Sequence, residues 1–169
     1  PDSVSNTVEA WDAIPKYAVN SKQAKKLRSA DGLSRPHEFA YQYSEGDYQL
    51  TIQPALIQQP DGSYKACFPG PTEEVVEEAL KKIFIEHNHG YHDVENSESW
   101  VRFTLRGVQK ILKQQGRARS LSQIKLAIQV MNKAVLTIKK DGQDWWSGNI
   151  LQDLVTVGRD EYLEDRRAQ

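Results

Sequence analysis

The stretch QGRARSLSQIKLAIQVMNKAVLTIKK, residues 115–140, contains several basic residues and no acidic one. Within it, Ser120 and Gln123 have the spacing of a capping box, which predicts the start of a helix. Apolar residues follow at helical spacing and form the predicted core stripe: Leu121, Ile124, Ile128, Met131 and Val135. We therefore expect an amphipathic helix over residues 120–134, with its polar side in solvent.

A second helix is predicted just before it, in TLRGVQKILKQQG, residues 104–116, with Thr104 and Gly116 at its ends. Its apolar stripe consists of Leu105, Val108, Ile111 and Leu112. The turn between the two helices, RAR at residues 117–119, is short enough to hold them at a steep angle, as in a helix-turn-helix.

The segment after the helix over residues 120–134 predicts a β-hairpin. VLTIKK is a strand candidate, DGQDWWSGN at residues 141–149 is a loop candidate, and ILQDLVTVG at residues 150–158 is a second strand candidate. Upstream, PTEEVVEEALKKIFIEHNHG predicts a helix from an N-cap at Thr72 to a C-terminal Gly90, and SWVRF predicts a short strand. The order helix, strand, helix, turn, helix, hairpin predicts a winged helix.

The first third of the chain predicts an additional sheet. Residues 1–36 are polar and are interpreted as a partly flexible N-terminal arm. Three runs then alternate with a period of two: Phe39, Tyr41 and Tyr43; Tyr48, Leu50 and Ile52; Tyr64, Ala66 and Phe68. They predict an antiparallel β-meander. The expected fold class is α+β, with a winged-helix domain over 37–160 and a charged tail or linker over 161–169.

Charge is strongly segregated along the chain, although the net charge is only −1. Residues 101–140 carry ten Lys or Arg and no acid, whereas residues 71–100 carry two basic and eight acidic residues. A segregated basic surface is typical of a protein that binds a polyanion. The alternative is a pair of solvated, lysine-rich helices without a partner.

Basic and polar side chains outside the core stripes are the candidate contacts to double-stranded DNA. Arg119, Ser122 and Gln123 are the base-contact candidates, since they begin the second helix of the motif, although Gln123 is alternatively used in the cap. The full set is Arg106, Lys110, Lys113, Arg117, Arg119, Ser122, Gln123, Lys125, Gln129, Lys133, Lys139 and Lys140.

The sequence gives little indication of a metal site, an enzyme active site or a disulfide. His87, His89, His92 and Asp93 are spaced as a metal site, but we interpret them as polar residues near a helix end and expect no metal or cofactor. The chain has no GxSxG, P-loop or GxGxxG pattern, so we do not expect an enzyme. Cys67 is the single cysteine, which excludes an internal disulfide and favours a reducing cytoplasm and a buried thiol.

The ends of the chain and its apolar runs give further expectations. No run is long enough to span a membrane, and no secretory signal pattern is present. The chain begins at Pro1 and ends in the charged RDEYLEDRRAQ, so we expect a fragment of a longer protein.

A subunit interface is expected where the predicted meander leaves an edge open. Tyr48, Leu50 and Ile52 are its candidates, and Trp145 and Trp146 in the hairpin come next. One of the two tryptophans is expected in the core and the other in solvent. The alternative is that residues 1–36 cover this sheet.

The segments GDYQLTIQPALIQQPDGS, EEVVEEALKKI and VRFTLRGVQKILKQQGRARSLSQIKLAIQVMNKAVLTI, with the hairpin that follows, resemble plasmid replication initiators of the Rep type. The resemblance covers about residues 38–158. It implies two winged-helix domains in tandem that bind repeats at a plasmid origin, help to melt it, recruit host replication proteins, and often dimerise and repress their own gene.

This chain has room for one such domain, so the resemblance implies the N-terminal one, with its wing over 135–157. In the family this domain commonly supplies dimerisation and contacts to the DNA backbone, in the bacterial cytoplasm at the plasmid. Three alternatives stay open: a dimerisation module without DNA contact, a winged-helix transcriptional repressor with an effector pocket, and a metalloprotein centred on the histidines.

Overall fold

The computed structural model describes residues 10–30, 33–86, 90–93 and 98–156, and it shows a mixed α+β protein with antiparallel sheets. Residues 10–13 are helical. The helices are α1 (Ser21–Leu27), α2 (Pro71–Glu86), α3 (Leu105–Gln114) and α4 (Leu121–Lys133). The strands are β1 (His37–Tyr43), β2 (Gly46–Gln53), β3 (Ala55–Gln58), β4 (Tyr64–Cys67), β5 (Gly90–Asp93), β6 (Glu98–Val101), β7 (Val135–Lys140) and β8 (Gln143–Gly148).

Helices α2, α3 and α4 pack around one hydrophobic core. Its buried residues are Val76, Ala79, Leu80, Ile83, Val108, Ile111, Leu112, Ile124, Ala127, Ile128 and Met131. The predicted stripes are thereby confirmed at Val108, Ile111, Leu112, Ile124, Ile128 and Met131. Leu105 and Leu121 are only half-buried, and Val135 belongs to strand β7 and not to the helix. No helix in the described part of the chain is long and apolar enough to cross a membrane.

The N-termini of α3 and α4 are formed as predicted. The Thr104 hydroxyl accepts a hydrogen bond from the amide of Gly107 at 3.0 Å. At α4, the Ser120 hydroxyl accepts from the Gln123 amide at 3.1 Å, and the Gln123 side chain accepts from the Ser120 amide at 2.9 Å. These caps satisfy helix-end N–H groups that have no partner within the helix.

The bounds predicted for α2 are wrong at both ends. The helix begins at Pro71, whose fixed φ suits the first helical position, and the Gly70 amide donates to Glu73 Oε2 at 3.0 Å. Thr72 therefore lies inside the first turn and is not the N-cap. The helix ends at Glu86, and Gly90 begins strand β5, which pairs with the predicted strand at β6.

The predicted three-stranded meander is also wrong. β1 and β2 form a hairpin, but β2 then pairs with β7, with Leu50 opposite Ile138 and Ile52 opposite Leu136, in a sheet of order β1-β2-β7-β8. Strand β4 pairs instead with β3 in a separate two-stranded sheet, whose residues Ala55 and Ile57 bury against α4. Pro54, which has no N–H to donate, stands where the chain passes from one sheet to the other.

The second half of the predicted hairpin is shifted. Strand β7 is confirmed, but Asp141 and Gly142 both have positive φ and reverse the chain in a two-residue turn. The strand that follows is β8, Gln143–Gly148, so the residues predicted as a loop pair with β7 and residues 150–156 form no strand. The hairpin therefore spans 135–148.

Part of the expected N-terminal arm packs onto this sheet. Ile14 and Val19 are buried against Leu50, Leu136 and the other inward side chains of β2 and β7. Residues 10–30 therefore belong to the folded domain. For this described part of the arm, the alternative prediction that residues 1–36 cover the sheet is the one that agrees with the structure.

Candidate nucleic-acid interface

One side of α4 faces solvent, opposite the buried Ile124 and Ile128. Ser122, Lys125 and Lys133 are exposed there, and the predicted candidate Gln129 is half-buried. Asn132, at the margin of this side, forms hydrogen bonds within the protein. Its Nδ2 donates to the carbonyl oxygens of Leu151 and Gln152, at 3.1 and 3.0 Å, and so fixes the chain after the hairpin.

Helix α3 presents a basic side that points away from the core. Arg106, Lys110 and Lys113 are exposed, and they lie opposite Val108, Ile111 and Leu112 on the helix. None of these three cations, nor Lys125 or Lys133 of α4, forms an ion pair with any residue that the structure describes. Their charge is therefore available to a ligand in solution.

The two arginines of the turn are engaged within the protein. Arg117 forms an ion pair with Glu78 of α2, in which both side chains are about half-exposed. Arg119 donates from Nε to the Thr72 hydroxyl at 3.3 Å, and from Nη1 to the carbonyl oxygens of residues 117 and 118 at 3.1 Å each. The Gln109 side chain donates to the Arg119 carbonyl at 3.2 Å.

These contacts revise the predicted base-contact set. Arg119 is half-buried and holds the turn to the first turn of α2, and Gln123 is used by the cap of α4. Sequence patterns did not identify Glu78 as a partner of Arg117. The proximity of α2 to the turn depends on helix packing, which no local pattern reveals.

Lysines and aromatic residues meet at the end of the β7–β8 hairpin. Lys139 and Lys140 precede the turn, and Lys140 Nζ lies 5.5 Å from the centre of the Tyr48 ring. Trp145 is 61% exposed and its ring centre lies 5.8 Å from that of Tyr48. Trp146 is half-buried and packs edge-on against Trp11, so one tryptophan is in the core and one in solvent, as predicted.

A buried charge network joins residues 11–17 to α2, and sequence patterns gave no sign of it. Lys16 is 3% exposed, and its ammonium donates to the Trp11 carbonyl at 2.7 Å and lies 3.9 Å from Glu77 Oε1. The Tyr17 hydroxyl donates to Glu77 Oε2 at 2.9 Å, and Lys81 Nζ lies 3.4 Å from Glu77. Burial lowers the pKa of Lys16, whereas burial and the Glu77 carboxylate raise the pKa of Tyr17 well above its ordinary value.

The expected subunit interface on β2 requires correction. Leu50 and Ile52 are fully buried in the core, and β2 is an inner strand of the four-stranded sheet. A second chain has no access to these two side chains. Tyr48 is half-buried beneath Tyr41, with ring centres 5.5 Å apart.

The histidine cluster falls largely outside the described residues. His87 and His89 lie outside them, and the backbone of His92 and Asp93 forms part of β5. Among the residues that are described, no group of three or more His, Cys, Asp or Glu is arranged to hold a metal ion. Cys67 is half-buried, and burial raises the pKa of its thiol.

Exposed cations therefore lie on α3, on α4 and at the end of the β7–β8 hairpin, and α4 also carries exposed polar side chains. A comparison with models of known protein families, with curated protein sequences and with solved structures finds no match for this chain.

Proposed function

We propose that this chain binds double-stranded DNA as a winged-helix domain. Helix α4 is the helix that enters the major groove, α3 supports it, and the β7–β8 hairpin is the wing. The order of α2, the short β5–β6 hairpin, α3, α4 and the β7–β8 hairpin supports this assignment. The pairing of β7 with β2 adds a further hairpin to the sheet beside the wing.

The observation that carries the proposal is the set of exposed cations on α3 and α4 that have no ionic partner among the described residues. Arg106, Lys110 and Lys113 lie on one side of α3, and Lys125 and Lys133 lie on the solvent side of α4. A lysine on the protein surface without a carboxylate nearby keeps its full charge for a phosphate. In helix-turn-helix proteins the helix before the recognition helix crosses the backbone, which suits α3.

We further propose that the chain acts in plasmid replication, as the N-terminal domain of an initiator that binds origin repeats and contacts host replication proteins. The support is the resemblance of residues 38–158 to initiators of the Rep type. The function is one of binding, without catalysis and without a cofactor, in the bacterial cytoplasm.

Self-association is part of the same proposal, but at the outer strands of the sheet. β1 and β8 are the edges of the four-stranded sheet, and an edge strand offers N–H and C=O groups to another chain. Trp145, exposed on β8, adds apolar area to that edge.

The affinity for a duplex of random sequence, measured by fluorescence anisotropy across a salt series, tests the proposal. We expect affinity to fall steeply with salt, and Lys110→Ala to reduce the slope of log affinity against log salt by about 1. Lys65→Ala is the matched control, since Lys65 is exposed on β4 and should leave the slope unchanged. Absence of binding at low salt, or an affinity that does not depend on salt, contradicts the proposal.

A further inference from the structure

We propose that α4 recognises A·T base pairs, with Leu126 against the 5-methyl group of thymine and Gln129 hydrogen-bonded to adenine. This inference rests on the proposed function, because it requires α4 to lie in the major groove. It names the base pairs that this helix would recognise.

Leu126 lies in the middle of the solvent side of α4. Ser122, Leu126, Gln129 and Lys133 are spaced at i, i+4, i+7 and i+11, so they form one stripe along the helix. Leu126 is 42% exposed and is the one large apolar side chain of α4 that is exposed. An isolated exposed leucine is ordinary on a protein surface. This one stands between the polar residues of the side proposed to face the groove.

Gln129 is the neighbour of Leu126 on this stripe, and it is available for recognition. Its side chain is half-buried and makes no hydrogen bond to any residue that the structure describes. A side-chain amide carries both donors and an acceptor, and it matches N6 and N7 of adenine in the major groove. The thymine of the same or the next base pair offers its methyl group, which an apolar side chain covers.

Arginine, whose side chain forms two parallel hydrogen bonds to O6 and N7 of guanine, is absent from α4. Lysine can contact the same two atoms, and α4 carries Lys125 and Lys133. Arg117 and Arg119, the nearest in sequence, are held by Glu78 and Thr72. Lys125 and Lys133 are compact, strongly hydrated charges, which suits contacts to phosphates at the edges of the groove.

Three duplexes of equal length test the inference by anisotropy at one salt concentration. The first contains only A·T pairs in mixed order, the second has deoxyuridine in place of every thymidine, and the third contains only G·C pairs. Deoxyuridine removes the methyl group and leaves the base pair intact. We expect the unmodified protein to bind the thymidine duplex about fourfold more tightly than the deoxyuridine duplex, the effect of one methyl group taken out of water.

Two variants assign the preference to the two side chains. Leu126→Ala should abolish the difference between thymidine and deoxyuridine duplexes. Gln129→Ala should reduce the preference for A·T over G·C and leave the ratio of thymidine to deoxyuridine affinities unchanged. Leu56→Ala is the matched control, because Leu56 is an exposed leucine on β3 and its loss should change neither ratio. Circular dichroism melting of each variant shows that the fold is kept.

The experiment distinguishes failure of this inference from failure of the proposed DNA binding. Equal affinity of the unmodified protein for the thymidine and deoxyuridine duplexes overturns the inference and leaves the proposed DNA binding in place. A Leu126→Ala protein that still distinguishes them also overturns it. Failure to bind any of the three duplexes overturns the proposed function together with the inference.

Discussion

Glu78 determines how much positive charge the turn between α3 and α4 can offer to DNA. Its carboxylate pairs with Arg117, and both side chains are about half-exposed, so a phosphate group can compete for the arginine. Arg119 differs from Arg117, because its guanidinium is divided among the Thr72 hydroxyl and two carbonyl oxygens. Because these acceptors already occupy its guanidinium, Arg119 stabilises the turn and is less available than Arg117 for a contact to DNA.

We therefore expect Glu78→Gln to raise the affinity for duplex DNA by about two- to fivefold at low salt, the range of a half-exposed ion pair. Glu86→Gln is the control, since it makes the same charge change on the same helix and frees Lys82 at the far end. Fluorescence anisotropy titrations of a DNA duplex with each variant measure the two changes in affinity. Equal increases for both would show an effect of net charge and not of Arg117.

At the scale of elements, helix α2 contacts α3, α4, the turn between them and residues 16–17. Its inner side packs against α3 and α4, Glu77 holds Lys16 and Tyr17, and Glu78 holds the turn. Residues 11–17 are thereby tied to the same helix that positions the candidate DNA-binding elements.

The Tyr17–Glu77 contact should make the free energy of unfolding decrease as pH rises above about 10. The pKa of folded Tyr17 is raised, so the folded state holds this proton above pH 10, where the unfolded chain has released it. The stabilisation is therefore complete below about pH 10 and is lost as pH rises further, by up to about 1.4 kcal/mol per pH unit. The lowered pKa of Lys16 acts with the opposite sign, since the unfolded chain holds the lysine proton to higher pH.

Urea unfolding between pH 8 and 11 tests this for the unmodified protein and for Tyr17→Phe. We expect the variant to lose less free energy of unfolding than the unmodified protein over the alkaline part of that range. Tyr64→Phe is the control, since Tyr64 is half-exposed on β4. Parallel curves for the unmodified protein and Tyr17→Phe would refute the role of this hydroxyl.

The pairing of β2 with β7 makes a second prediction at this scale. Leu50 is fully buried where the N-terminal hairpin meets the β7–β8 hairpin, so Leu50→Ala should lower the free energy of unfolding by about 2–5 kcal/mol. Leu56→Ala, at an exposed position, should change it by about 0.5 kcal/mol or less. Urea titrations measure both. A small loss for Leu50→Ala would mean that the two hairpins do not share one core.

At the scale of the whole molecule, the four-stranded sheet joins the first and last thirds of the described chain. Residues 10–30 cover its inner face, and its two edges remain at β1 and β8. A second copy can therefore add to the sheet only at an edge, where backbone groups are available.

We expect a weak dimer whose population rises with concentration and which uses β8. Trp145→Ser should reduce dimerisation, because it removes the exposed apolar side chain of that strand. Trp100→Ser makes the same change at another exposed tryptophan and should have no effect. Sedimentation equilibrium of the three proteins provides the measurement. A strict monomer at high concentration, or equal effects of both substitutions, would count against the β8 interface.

The sequence by itself determined the three helices of the core and the caps of α3 and α4. Their apolar residues recur every three or four positions, and a capping side chain acts on an amide only three residues away. These are local relations, and the chain alone contains them. The alternation of β1 and β2 likewise predicted which of their side chains share one face of the strand, but not that this face is buried.

Only the tertiary structure decided which strands pair and which cations are available. Hydrophobic alternation gives the faces of a strand but not its partner, so β2 was assigned to a meander although it pairs with β7 across more than eighty residues of sequence. In the same way, Arg117 and Arg119 resembled Lys110 in the sequence, until helix packing brought Glu78 and Thr72 of α2 to the turn. Burial of apolar surface fixes that packing through contacts between residues far apart in the chain, and no local spacing records them.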